Sequence, residues 1–250
     1  MKTTYIFAFI FTITLLASCS KETPTTVNSV ATSNLTITFN NTVNGKTISN
    51  ADTNYRNAAN NLYTISLLKY YATNIVLIDE NNNEWLAKNY NLIDINEPTQ
   101  NTFILKNIPN AKYTKLKFIL GVDSLRNTTG VQEGFLDPSF GMLWDWNTGY
   151  IFFKHEGTYK NTANLSKPLR LHLGKNTTKG NVEVLLPLVN INGTVSKLSI
   201  EFDLNKAYSV QNSIDFNLDN DRQSISANDA IWMGNMRRNL EKSFTFSKAE

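Results

Sequence analysis

Apolar and polar residues alternate with a period of two along most of the chain, and this pattern restricts the fold more than any other feature. In "LTITF" at 35–39, Leu35, Ile37 and Phe39 fall on one face and Thr36 and Thr38 on the other. "KYTKLKFILG" places Leu116, Phe118 and Leu120 inside, with Lys115 and Lys117 outside. "SKLSIEFDL" sets Leu198, Ile200, Phe202 and Leu204 against Lys197, Ser199, Glu201 and Asp203. Successive side chains of an extended chain point to opposite faces, so each stretch reads as a half-buried strand. "NIVLID" and "VEVLLPLV" are more continuously apolar and read as central strands, or strands covered on both faces. Asn, Gly, Asp and Pro clusters such as "NNTVNG", "DENNNE", "NEPTQN" and "NIPNAK" punctuate them as turns. "VNINGTV" at 189–195, with Asn192-Gly193 between apolar runs, is the best hairpin signal. The expected fold is all-β: a single-domain antiparallel β-sandwich.

One segment departs from period two. "SANDAIWMGNMRRNLEK" offers Ser226 and Asp229 as a capping box, then Trp232, Met236 and Leu240 on one helical face. Arg237, Arg238 and Lys242 suit the C-terminal end of the helix dipole. This predicts a C-terminal helix over about 226–242, packed as a lid on the sandwich.

The chain opens "MKTTYIFAFIFTITLLASCSKETPTT". Lys2 precedes an apolar run, Tyr5 to Ala17, that is too short to span a bilayer as a helix. It ends in "LASC", a lipobox that makes Cys19 the first residue after cleavage. Residues 1–18 are therefore expected to be a lipoprotein signal peptide, 19–34 a polar tether, and 35–250 the β domain. Acyl chains on Cys19 would anchor the protein firmly, at ~0.8 kcal/mol per buried CH₂. Ser20, not Asp, follows the cysteine, which points to the outer membrane of a Gram-negative cell, on its periplasmic face or at the cell surface. Cys19 is the sole cysteine, so the mature chain has no thiol for disulfides or metal sites. The formal charge of +3 falls to +2 once Lys2 is removed, which gives no reason to expect nucleic acid as a partner.

Catalytic signatures are missing. There is no Walker loop, no G-x-G-x-x-G, no G-x-S-x-G elbow and no cysteine nucleophile. With two histidines, His155 and His172, a Ser-His-Asp arrangement has no supporting motif, and an enzyme is not expected. "DFNLDND" sets Asp215, Asn217 and Asp219 at calcium-loop spacing, but Asn220 and Ser226 stand where that loop needs Gly and Glu. A different calcium loop around Asp219 and Asp221, or a plain turn before the helix, remains open.

The densest stretch is "GMLWDWNTGYIFFKHEG" at 141–157, with two of the four tryptophans, one of the two histidines, a Met and three further aromatics. "YIFFKHEG" reads as a strand with Tyr150, Phe152 and Lys154 on one face and Ile151, Phe153 and His155 on the other. If "MLWDWN" is extended, Met142, Trp144 and Trp146 share a side. These rings either fill the end of the core or wall a binding site.

Together with "LGVDSL…GFLDPSF", this stretch resembles the signature of the MbnP-like family, secreted proteins encoded beside methanobactin genes. "YTISLLKYYATNIVLID" at 63–79, "LRLHLG" at 169–174 and the C-terminal "DLNKAY…NDAIWMGNMRRNLEKSFTF" are similar to further parts of it. The likeness spans about Leu35 to Phe246. It implies one antiparallel β domain, a cell-envelope location and a link to copper. Relatives bind copper through histidines, beside a tryptophan oxidised to kynurenine. Residue by residue, His172 matches the family His before Leu-Gly, and Trp144 and Trp146 match its paired tryptophans. Thr73 and Asn74 stand where a partner His would be sought. The resemblance thus implies a Cu(I) site at His172, completed by His155 or a thioether such as Met142, Met233 or Met236, with Trp144 or Trp146 oxidisable. The alternation of "LRLHL" points His172 away from the Leu169/Leu171/Leu173 face. Partners implied are the copper ion and a dihaem peroxidase or TonB-type receptor. The alternative is a metal-free envelope binding module in which 141–157 is structural.

Overall fold

Every alternating stretch named above is a strand. The computed structural model describes residues 30–49, 51, 54–144, 149–193, 195–223 and 230–250. Cys19, Trp146 and the proposed capping pair Ser226 and Asp229 lie outside them. In chain order the strands are β1 (Thr32–Val43), β2 (Lys46–Thr47), β3 (Tyr55–Arg56), β4 (Leu62–Tyr63), β5 (Leu67–Asp79), β6 (Glu84–Asp94), β7 (Thr102–Pro109), β8 (Ala111–Leu120), β9 (Ile151–Lys160), β10 (Ser166–Gly174), β11 (Gly180–Ile191), β12 (Lys197–Asp203), β13 (Asp221–Gln223) and β14 (Phe244–Ala249). Among the described residues four α-helices accompany them: α1 (Ser124–Thr128), α2 (Leu204–Ala207), α3 (Phe216–Asp219) and α4 (Ala230–Glu241).

Two sheets form the sandwich. In the first, β1 lies between β12 and the pair β7 and β2, with β14 beyond β12. In the second, β5 has β6 on one edge and β8 and β9 end to end on the other; β11 extends from β8, and β10 and β13 extend from β9. The ladders are antiparallel except for two, β1 with β12 and β10 with β13, which are parallel. Leu35, Ile37 and Phe39 face Leu116, Phe118 and Leu120 across the main core, as their alternation predicts.

Three expectations need correction, and one strand carried no reading at all. β11 pairs with β8 alone and is an edge strand, not a central one. Pro187 falls where its ladder breaks between Leu185 and Val189, a place that tolerates a residue without an N–H. The Asn192-Gly193 turn is not a hairpin, because it carries the chain from β11 in one sheet to β12 in the other, whose edges are taken by β1 and β14. The first strand begins at Thr32, three residues before Leu35, because Thr32 and Ser33 already pair with β7. The C-terminal "FTFSKA" is a strand that continues past the helix.

The expected helix is α4, described from Ala230, with Trp232, Met233, Met236 and Leu240 buried. Buried Asn239 fixes it to the preceding segment. Its Oδ1 accepts from the Gln211 and Asn212 amides, and its Nδ2 donates to the Ala207 and Asn212 carbonyls.

The second sheet is apolar on both faces at its centre. Tyr70, Ile93 and Phe153 enter the main core. Their neighbours Tyr71, Leu92 and Phe152 turn outward into a second cluster with Val122, Leu136, Met142, Trp144, Tyr150 and Ile151. Met142, Leu143, Trp144, Tyr150, Ile151 and Phe152 of the 141–157 stretch belong to this outer cluster; Ile151, expected on the face of His155, is turned outward at the Leu173/Gly174 irregularity of the β9–β10 ladder.

Candidate functional site beneath the Trp144 segment

Residues directly opposite on neighbouring strands share a face. Register therefore sets Asp94, Lys69, Lys154, His172 and Gln223 in one row across β6, β5, β9, β10 and β13. The row runs along the outer face of the second sheet, beneath residues 134–144. Lys69 pairs with Asp94 at 2.9 Å and donates to the Phe140 carbonyl at 3.3 Å. Lys154 donates to the Gly141 carbonyl at 3.1 Å and lies 3.6 Å from Glu156. Two ammonium groups thus hold the covering segment by its backbone. Within that segment, Asp137 caps the turn at Pro138–Phe140, and Gly141 leaves it at φ +67°. Tyr150 ties the far side down, donating from its hydroxyl to the Leu136 carbonyl at 2.9 Å. The Ile151 amide donates to the Met142 carbonyl at 2.7 Å.

Trp144 is seated by Gly174. A Cβ at position 174 would fall 2.8 Å from Trp144 Nε1 and 2.5 Å from the Tyr150 carbonyl oxygen. The glycine of "HLG" is a packing requirement of the tryptophan, and both belong to one local structure.

Between the row and its cover lies a recess of about 300 Å³, lined by Trp144, Lys154, His172, Gln223 and residues of the cover. The Trp144 and His172 ring centroids are 6.1 Å apart. His172 is buried, and its Nε2 lies 2.8 Å from Glu156 Oε1. Burial, and then the nearby Lys154 ammonium, lower the His172 pKa; Glu156 opposes them. A neutral ring that gives its Nε2 proton to Glu156 keeps its lone pair on Nδ1.

The expected partner imidazole is elsewhere. His155 stands opposite Leu171 and Leu68, on the face that enters the main core, while His172 stands opposite Lys154. The two side chains point to opposite sides of the sheet, so the His172–His155 pairing is corrected. His155 is fully buried, hydrogen-bonds the Tyr208 hydroxyl through Nδ1, and has the Tyr63 ring 6.0 Å away. Burial, first, pushes its pKa down to about 3; a Thr64 backbone group opposes this and His172 adds to it. Burial raises the Tyr208 hydroxyl well above its usual range, so that hydroxyl stays protonated and donates to Nδ1.

Thioethers do not replace the lost imidazole. Met142 is fully buried in the outer cluster and does not line the recess. Met233 and Met236 belong to α4 and point from it into the main core. The chain has two His, one Cys and four Met in all, so among the described residues His172 is the one soft donor at the recess. Nor do the described residues hold any group of three His, Cys, Asp or Glu that could bind a metal. The calcium loop is likewise replaced by a turn: Asp215 caps α3, Asp219 pairs with Arg222 at 3.4 Å, and Asp221 pairs with Arg170 at 3.0 Å.

Lys69, Lys154 and Glu156 escaped the sequence reading as site residues. Lys154 and Glu156 sit inside the "KHEG" motif on the face opposite His155, and that alternation was their signal. Lys69 and Asp94 gave none, since only strand register brings them to the row.

The fold and the motif agree with the comparisons. A solved structure of MbnP from Methylosinus trichosporium superposes with a TM-score of 0.53 at 16% identity, covering 75% of this chain and 80% of that one. No curated protein matches. A family model described as MbnP matches residues 32–229, which include β1, the Trp144 segment, His172 and the β10–β13 pairing. The chain belongs to the MbnP family.

Proposed function

We propose that the chain is a lipid-anchored outer-membrane binding protein, not an enzyme, and that it takes a small polar ligand in the recess between Trp144 and His172. The observation that carries this reading is the recess itself. It has a buried imidazole held by Glu156 at 2.8 Å, an ammonium at Lys154 and an amide at Gln223, all under one tryptophan. With Lys154 and the Gln223 amide as donors and the His172 Nδ1 lone pair as an acceptor, the ligand class is a small amide, or a small carboxylate that also carries a hydrogen-bond donor. A saturation-transfer NMR screen of such compounds should find binders that Lys154→Met loses. Binding that is equal in both proteins, or absent in both, overturns the assignment.

Copper is the second reading, and one observation favours it. A carboxylate orients His172, as second-shell acids orient metal-ligating histidines, and Trp144 lies beside it. The donor set argues the other way. Cu(I) favours soft thioether or imidazole ligands, and the recess offers a single one. The residues present therefore do not fit a two-donor Cu(I) site, and nothing in the proposed role depends on copper. Anaerobic titration with Cu(I) against a competing chelator separates the readings. Binding no stronger than that of His172→Ala is expected. One retained equivalent that His172→Ala releases would establish copper, and kynurenine at Trp144 in peptide maps of protein from its native host would add to it.

A further inference from the structure

A second concavity lies on the same outer face of the second sheet, away from the Trp144 recess. It is a groove of about 940 Å³ across β6, β5, β8 and β11, closed at one end by α1. Register aligns Leu86, Val76, Lys117 and Glu183 in one row across the four strands. Val76, Ile119, Leu125 and Leu86 make its apolar surface, and Leu86 and Leu125 are 50% and 72% exposed. Four strands at ~4.8 Å spacing make the floor about 14 Å wide, the reach of a medium-chain alkyl tail.

Its polar end is built. β5 bulges after Thr73 against both neighbours, before Ile75 in its ladder with β6 and before Val76 in its ladder with β8, with Asn74 at φ +52°. Bulges re-aim side chains, and here Asn74 hydrogen-bonds Asp123. Asp123 caps α1 and accepts from the Tyr90 hydroxyl, and the Arg126 guanidinium lies 5.9 Å from the Tyr90 ring centroid. Both acids of the groove are engaged: Asp123 by these donors, and Glu183 by Lys117 at 3.5 Å and Lys115 at 4.0 Å. The cations are less so. Among the described residues Lys88 has no ion pair, and the Arg126 guanidinium engages neutral groups, the Gln132 amide and the hydroxyl and ring of Tyr90.

An apolar trough with surplus positive charge at one end selects a ligand with an apolar body and an anionic head. We infer that this groove binds a single-chain amphipathic carboxylate, its tail along Leu86, Val76 and Ile119 and its head between Lys88 and Arg126.

The test titrates the full chain in lipid nanodiscs with octanoate, octylammonium and octanol by calorimetry, subtracting empty nanodiscs. Octanoate should bind, octanol about tenfold more weakly, and octylammonium not at all. The charge-reversed protein, Lys88→Glu with Arg126→Glu, should lose octanoate. Leu86→Asp, at an exposed position of an edge strand and with its fold checked by circular dichroism, should lose octanoate and octanol together. Octylammonium binding as well as octanoate, unchanged octanoate affinity in the charge-reversed protein, or no octanoate binding by the unaltered chain each overturns the inference.

Discussion

Gly174→Ala tests the central packing claim, because one methyl group is aimed at two atoms that give in different ways. The new Cβ would meet the Tyr150 carbonyl oxygen at 2.5 Å and Trp144 Nε1 at 2.8 Å, both well inside contact distance. One escape is to eject the indole. An aromatic side chain buries ~150–250 Å², so at ~25 cal/mol per Å² ejection costs about 4–6 kcal/mol. The other escape is to yield locally, and overpacking of that kind costs ~1–3 kcal/mol. Yielding is cheaper, so the ring stays in place and the Leu173/Gly174 irregularity of the β9–β10 ladder widens. A loss of ~2 kcal/mol lowers Tm by about 4–8 °C in a domain of this size. Calorimetric melting reads this directly, and a double-mutant cycle with Trp144→Phe assigns the cause. The smaller ring should return about 1 kcal/mol of the loss, a coupling expected only for residues in contact. A Tm within about 1 °C of wild type, or strictly additive single and double variants, would refute the account.

Acid sensitivity should come first from His155. Its folded pKa, about 3, lies below the unfolded value of 6.5, so the unfolded chain binds the extra proton and stability falls as pH drops below 6.5. The loss between pH 6.5 and 4.5 is about 2 kcal/mol, read as a falling urea midpoint that His155→Gln flattens; an equal slope in both proteins contradicts the assignment. Gly234→Ala in α4 should stabilise by about 0.5–1 kcal/mol, since its Cβ meets only the flexible end of Arg238, and a lower Tm would place the helix differently. Cys19→Ala should abolish incorporation of an alkyne-tagged fatty acid in cells, and labelling that persists would rule out the lipobox cysteine as the anchor point.

Strands were legible because each carries its own signal, and the pairing of strands was not, because that signal is shared. Leu35, Ile37 and Phe39 announce a buried face regardless of neighbours, and they are buried. Asn192-Gly193 announces a turn, and the chain does turn there with Gly193 at φ +90°. Whether a turn closes a hairpin depends on which strand edges are free, and β12 is enclosed by β1 and β14, whose sequences lie far from it. β11 misleads similarly. Its unbroken apolar run suggested a central strand, yet Leu185 and Leu188 are 69% and 51% exposed at the sheet edge. Continuous hydrophobicity reports what a strand can tolerate, not where it sits.

The fate of the two histidines follows from the same period-two rule, and the sequence contained more of the answer than the family resemblance suggested. Alternation in "FFKHEG" puts His155 with Phe153 and against Phe152, and alternation in "LRLHL" puts His172 opposite to Leu169, Leu171 and Leu173. If both apolar sets line one core, the imidazoles must point to opposite sides of the sheet. They do so because His155 stands across from Leu171 and His172 across from Lys154. One strand-pairing register was the missing fact. The same step assigns Lys154 and Glu156 to His172's face, where they enclose it with ammonium and carboxylate in place of a second imidazole. A two-imidazole site would need one histidine moved by an odd number of positions along its strand. A substitution that puts His at 154 in place of Lys154 would supply that second imidazole, directly opposite His172 and beside Trp144. Cu(I) affinity gained by Lys154→His, with His155 unchanged in the core, would show that strand parity is what denies this chain a two-imidazole site. If Lys154→His binds Cu(I) no better than the unaltered chain, strand parity is not what denies the recess a copper site.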